Sequence, residues 1–150
     1  MDRYDKQIIR CLRNDARMSW TKLSEQVNLS ASACQRRVEA MVQSGVIRKF
    51  TLQLDDKRLG NTVKAFVAVN VERQNTDRAE ALKRQLIDHE QVQSAHMVSG
   101  GIDFMLEVVC RDLDDLARFL DEEILRIPGV RDATSSIVLR PVKQHEAVLG

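Results

Sequence analysis

The sequence predicts an α+β protein with an N-terminal winged helix-turn-helix domain and a C-terminal βαββαβ domain. Three observations carry this expectation. Apolar residues recur three and four apart through the first 45 residues, then two apart from Val63 onward, the periods of helix and strand respectively. Charge changes along with the period: residues 1–60 hold 12 Lys and Arg against 7 Asp and Glu, residues 61–150 hold 11 against 15. Between them lies the polar stretch Asp55 to Thr62, containing Gly60-Asn61, which divides the chain into domains 1–60 and 61–150. A basic head on an acidic body points to a polyanion as the head's partner.

Three short helices fit the head. Tyr4, Ile8, Cys11 and Leu12 mark the first, which the polar pair Asn14-Asp15 ends. Ser19 is a good N-cap for the second, with Trp20, Leu23 and Val27 on one face. Asn28-Leu29-Ser30 is a very short connection, and Ser30 caps a third helix whose apolar stripe is Ala31, Cys34, Val38 and Met41. Gly45 ends it as a left-handed cap. Two helices joined by about three residues make a helix-turn-helix. With the stripe packed inward, Ser32, Ala33, Gln35, Arg36 and Arg37 lie on the exposed side of the first turns. Those turns enter the major groove in this motif, where Gln pairs with adenine and Arg with guanine or phosphate. Ala33 is small enough to let the backbone come close. Val46 to Phe50 is expected to follow as a strand, with Arg48 and Lys49 touching flanking phosphates; Lys22 is a further backbone contact. Paired arginines on a helix are more often a solvated face, but the short turn, the Ser cap and the basic head outweigh that reading.

In the second domain Val63, Ala65, Val67, Val69 and Val71 share one strand face, with Phe66 and Ala68 on the other. Thr76 is expected to cap a helix carrying Ala79, Leu82 and Leu86. Val92 to Val98 reads as a strand and Ser99-Gly100-Gly101 as a turn, before a strand with Ile102, Phe104, Leu106, Val108 and Cys110. Asp112 caps a helix with Leu113, Leu116, Leu120 and Ile124, which Pro128-Gly129 stops, and Ser136 to Val142 gives the last strand. This order is that of ferredoxin-like folds. Two helices cover one face of such a sheet. The other, bearing Phe66, Ala68, Met105 and Val109, is expected to pair with a second copy as a homodimer.

No apolar run approaches the roughly 18 residues of a membrane span and no leader pattern opens the chain, so a cytoplasmic protein without membrane contact is expected. Cys11, Cys34 and Cys110 are odd in number and widely spaced, as reduced core thiols are. His89, His96 and His145 lack metal-ligand spacing, and no nucleotide or nucleophile motif occurs. No catalytic residue, metal or cofactor is expected, and the chain does not read as an enzyme. The one stretch with ligand character is VSGGIDF, residues 98–104. Consecutive glycines leave N–H groups open to a carboxylate, and Asp103 can offset an ammonium group, so the pair would suit a zwitterionic amino acid. A tight hairpin with Gly-Gly at its tip explains the same residues.

Along nearly its whole length the chain resembles the Lrp/AsnC (feast/famine) family of transcriptional regulators. The carrying stretches are DRYDKQIIRCLRNDAR, LSEQVNLSASACQRRVEAMVQSGVI, VSGGIDF and IPGVRDATSSIVL, with Cys34, Arg37, Gly45 and Ile47 at familiar positions of the recognition helix and its exit. The resemblance implies double-stranded DNA as a partner, dimers that often assemble into octamers, and an amino-acid effector bound between neighbouring dimers. It makes Ser99, Gly100, Gly101 and Asp103 effector candidates, with Ser136, Ile137 and Val138 as second contacts. Two departures stand out: Gly101 replaces a polar or acidic residue, and Trp20 is unusual where it stands, expected to pack against the first helix. The main expectation is thus a sequence-specific DNA-binding regulator that senses an amino acid. The alternatives are an effector-independent architectural DNA binder and an amino-acid-binding regulatory subunit whose head docks a protein.

Overall fold

The computed structural model describes residues 1–72 and 76–142, for 76–79 the backbone alone. Contacts divide the described residues into two compact units, residues 1–53 and residues 54–142.

The first unit holds α1 (Arg3–Asn14), α2 (Trp20–Val27) and α3 (Ala31–Gln43). Each begins on a side-chain cap. Asp2 accepts from the Tyr4 and Asp5 N–H groups, Ser19 from Lys22 and Ser30 from Ala33, so N–H groups that lack an intrahelical partner find one. Asn28 closes α2 at φ 54°, a left-handed conformation that Asn tolerates better than most residues. The chain therefore reverses within three residues and delivers Ser30 to the start of α3. Ile8, Leu23, Val27, Cys34, Val38 and Met41 form the core, the stripes expected from the sequence. Gly45 takes φ 76° at the exit of α3. The expected strand over Val46 to Phe50 is not formed. A strand exists only with a ladder partner, and among the described residues of this single chain none lies beside it.

The second unit is a four-stranded antiparallel sheet in the order β2-β3-β1-β4, with strands β1 (Val63–Val71), β2 (Val92–Met97), β3 (Phe104–Cys110) and β4 (Val130–Ile137). Helix α4 (Thr76–Ile87) connects β1 to β2, and α5 (Leu113–Arg118) continues into a π-helical turn, Phe119–Ile124, before β4. This is the expected ferredoxin-like arrangement. The alternation of β1 works as expected: Ala65, Val67 and Val69 are fully buried against Leu82, Leu86, Leu106 and Phe119. The proposed cap Thr76 has a side chain outside the described residues. Asp112 does cap α5, accepting from the Asp115 N–H at 2.7 Å.

Two boundaries and one helical stripe differ from the sequence reading. β3 starts at Phe104 rather than Ile102, because residues 98–103 are occupied by the connection. β4 starts at Val130 rather than Ser136. It lies at the sheet edge, where the polar residues Arg131, Asp132, Thr134 and Ser135 interrupt the apolar ones and hide the strand. The helical stripe of α5 shifts at the π turn, which buries Phe119 and leaves Leu113 outside. On the sheet face away from the helices Phe66 stays exposed and Ala68 and Met105 are half-buried. Val109, expected there too, is itself buried on the central strand β3, its N–H bonded to the Gln91 carbonyl.

Candidate nucleic-acid interface and ligand loop

The first turns of α3 follow directly from the Ser30 cap. Ser30 Oγ accepts from the Ala33 N–H at 3.2 Å and lies 3.2 Å from Ser32 Oγ, which fixes the tip of the helix. One turn on, Gln35 Nε2 donates to Glu39 Oε1 at 2.9 Å. Ser32, Gln35 and Arg36 are exposed and Ala33 half-buried. Lys22, Arg48 and Lys49 are exposed on the same unit. Burying Cys34, Val38 and Met41 thus leaves a small, polar and cationic surface, whose size and donors suit the edges of base pairs.

Arg37 departs from the expectation. It is half-buried, not on the exposed side beside Arg36, and its Nη1 donates to Asp2 Oδ2 at 2.9 Å and Asp5 Oδ1 at 2.8 Å. The two acids stand at the start of α1, and no sequence period could pair them with a residue 32 positions away. Trp20 lines an apolar cleft of about 430 Å³ together with Leu12, Met18, Val42 and Phe50. That places its ring toward the α1 side, with 40% of the residue still exposed.

In the second unit, Ser99 to Asp103 link β2 to β3. The Val98 N–H bonds to the Asp103 carbonyl at 3.0 Å and the Asp103 N–H to the Val69 carbonyl at 3.2 Å. Asp103 Oδ2 accepts from the Val71 N–H at 2.9 Å. One carboxylate oxygen therefore holds the end of β1, an anchoring role that alternation alone did not reveal. Gly100 sits at φ 125°, open to glycine and strained for other residues, whereas a Cβ on Gly101 would meet nothing within 4 Å.

Ser136, Ile137 and Val138 are not brought to this loop. Ile137 pairs with Ala65 and the Val138 N–H bonds to the Lys64 carbonyl, while the loop grips Val69 and Val71. Ser136 pairs with Phe66, so the two groups stand three to seven residues apart along β1, about 10 to 23 Å at the usual strand rise. The β4 residues that do stand at the loop end are Arg131 and Asp132. Asp132 accepts from Asn70 Nδ2 at 2.8 Å and from Arg131 Nε at 3.0 Å, and these bonds, Arg131 first, hold its carboxyl below the usual range. Starting β4 just after Gly129 would have found them. Among the described residues no group of three His, Cys, Asp or Glu side chains is placed to hold a metal ion, and no helix is long and apolar enough to cross a membrane.

Comparison with known proteins agrees with both units. The AsnC-type helix-turn-helix profile matches residues 1–42, and the Lrp/AsnC ligand binding domain profile matches residues 64–148. The Bkd operon transcriptional regulator of Pseudomonas aeruginosa is 34% identical over 98% of this chain and 96% of its own. The leucine-responsive regulatory protein of Escherichia coli is 33% identical over 99% and 91%. A transcriptional regulator of Neisseria meningitidis, solved as its L-Met complex, superposes with a TM-score of 0.93 at 28% identity, covering 99% of this chain and 96% of that one.

Proposed function

Because the chain belongs to the Lrp/AsnC family of DNA-binding transcriptional regulators, and is not an enzyme, we propose that α3 reads its operator and that an amino acid at the VSGGIDF loop modulates it. Ser32, Ala33, Gln35 and Arg36 meet base edges, while Lys22, Arg48 and Lys49 neutralise phosphates. Arg37 serves from behind. The effector's carboxylate is held by the N–H groups of Ser99 to Gly101, and its ammonium group by the oxygen of Asp103 that Val71 leaves unused. The observation that carries this reading is the loop itself: an acid already anchored, beside the exposed backbone of Ser99, Gly100 and Gly101.

The separation of Ser136 to Val138 from the loop in one chain supports a site completed by another copy. Two chains pair over Phe66, Ala68 and Met105, giving the two-fold symmetry that a palindromic operator needs. Further assembly of dimers, up to an octamer, is what brings a neighbour's β4 to the loop. The protein acts in the cytoplasm, where its three free cysteines stay reduced; burial, with Asp115 and Asp112 nearby, pushes the Cys110 thiol up to about 11.

A thermal-shift screen of the twenty amino acids tests the effector. A ligand at about 100 times its dissociation constant adds about 2.7 kcal/mol, and the hit is expected to vanish in Asp103→Asn, which removes the charge yet keeps an acceptor for the Val71 N–H. No shift from any amino acid contradicts the effector reading and leaves an effector-independent DNA binder.

A further inference from the structure

Two adjacent arginines on α3 are treated oppositely. Arg36 is exposed. Arg37 turns back into a site built by the start of α1, and that site is unusually complete. Asp2 Oδ1 accepts from the Tyr4 N–H at 2.8 Å and the Asp5 N–H at 3.0 Å, while Asp5 Oδ2 accepts from the Asp2 N–H at 2.9 Å. That reciprocal pair is a capping box. Its two remaining oxygens, Asp2 Oδ2 and Asp5 Oδ1, both grip Arg37 Nη1. The Tyr4 ring lies alongside, 5.5 Å from the guanidinium carbon, close enough for a cation–π contact. Every carboxylate oxygen of the box is used, and its third member comes from another helix.

The rest of the α3 packing is apolar, through Cys34, Val38 and Met41. Such contacts hold a helix down but are not directional, so they restrain its rotation and sliding less than a forked ionic grip does. We infer that Arg37 is a positioning residue for DNA recognition: clasped by Asp2 and Asp5, it fixes the register in which α3 presents Ser32, Ala33, Gln35 and Arg36 to the duplex. The inference rests on the reading of α3 as the recognition helix. It has a counterintuitive consequence. Removing an acid from a DNA-binding head relieves repulsion of phosphate and on charge alone tightens binding; Asp5→Asn weakens specific binding instead.

The test starts with a duplex that the wild-type full-length protein selects from a random-sequence pool. Wild type, Asp5→Asn, Arg37→Lys and Arg36→Ala are titrated on that duplex and on a scrambled one across a salt series, with circular dichroism and melting on the same samples. Asp5→Asn and Arg37→Lys are expected to lose about tenfold or more on the selected duplex alone, with the salt slope unchanged. Arg36→Ala, removing a side chain that meets a base edge, is expected to weaken the selected duplex and to relax its preference at that one base pair. A head that merely unfolds loses both duplexes alike, and this outcome for both clasp variants overturns the positioning role. So does Asp5→Asn binding the selected duplex as tightly as wild type, or Arg37→Lys changing the slope, which marks a direct phosphate contact. If wild type selects no sequence, the reading of α3 fails and the inference with it; if only the clasp variants behave otherwise, the inference fails alone.

Discussion

At Asp2 one side chain serves two helices, capping α1 with Oδ1 and holding Arg37 with Oδ2. The Asp5 N–H, more than the Arg37 guanidinium, holds its carboxyl below the ordinary 3.8, against an opposing effect of desolvation. The folded form therefore binds its proton less readily than the unfolded chain. Its contribution to stability is complete above the unfolded value and is lost as pH falls through the folded one. In acid titrations the melting temperature of wild type is expected to fall below about pH 4 more steeply than that of Asp2→Asn; equal slopes contradict a carboxyl lowered by folding. The sequence showed the cationic pair on α3 but not which arginine was free. Periodicity assigns residues to faces within one element, whereas the fate of Arg37 depends on acids from another. Asp103 has the same history: its alternation was visible, its bond to Val71 was not.

Elements follow the sequence most closely where local chemistry alone decides them. Ser19, Ser30 and Asp112 cap the helices they precede, and the turn Asn28-Leu29-Ser30 has the expected length. Where tertiary pairing decides, the reading drifts. Val46 to Phe50 has strand composition without a strand to join, and β4 begins early because β1 imposes a partner on polar residues. The π-helical turn is the sharpest case. Its extra residue per turn places Phe119 in the core five positions before Ile124, with Phe119 2% exposed and Leu113 58%. Phe119→Ala is therefore expected to cost about 3–5 kcal/mol in urea denaturation, and Leu113→Ala no more than about 0.5. A regular helix in solution, burying Leu113 instead, would reverse that order.

Across the whole molecule, a near-neutral sum hides a basic head and an acidic body, and this division was legible from charge counts alone. On the proposed reading the head's cations attract DNA and the body's acids repel it. The proposed pairing of copies has a fainter trace in the sequence, a partly apolar sheet face. Phe66, 40% exposed at the centre of that face, is the residue to change. Phe66→Glu is expected to sediment as a monomer where wild type sediments as a dimer or larger, and to lose affinity for a palindromic operator; an unchanged mass contradicts sheet-face pairing. The measurement that bears most directly on the protein's function is an anisotropy titration of wild type on its selected duplex across a salt series, with and without the amino acid giving the largest thermal shift. The expected result is tight, sequence-dependent binding that weakens steeply with salt and shifts about fivefold or more with the amino acid. Equal affinity for selected and scrambled duplexes, untouched by any amino acid, would contradict it.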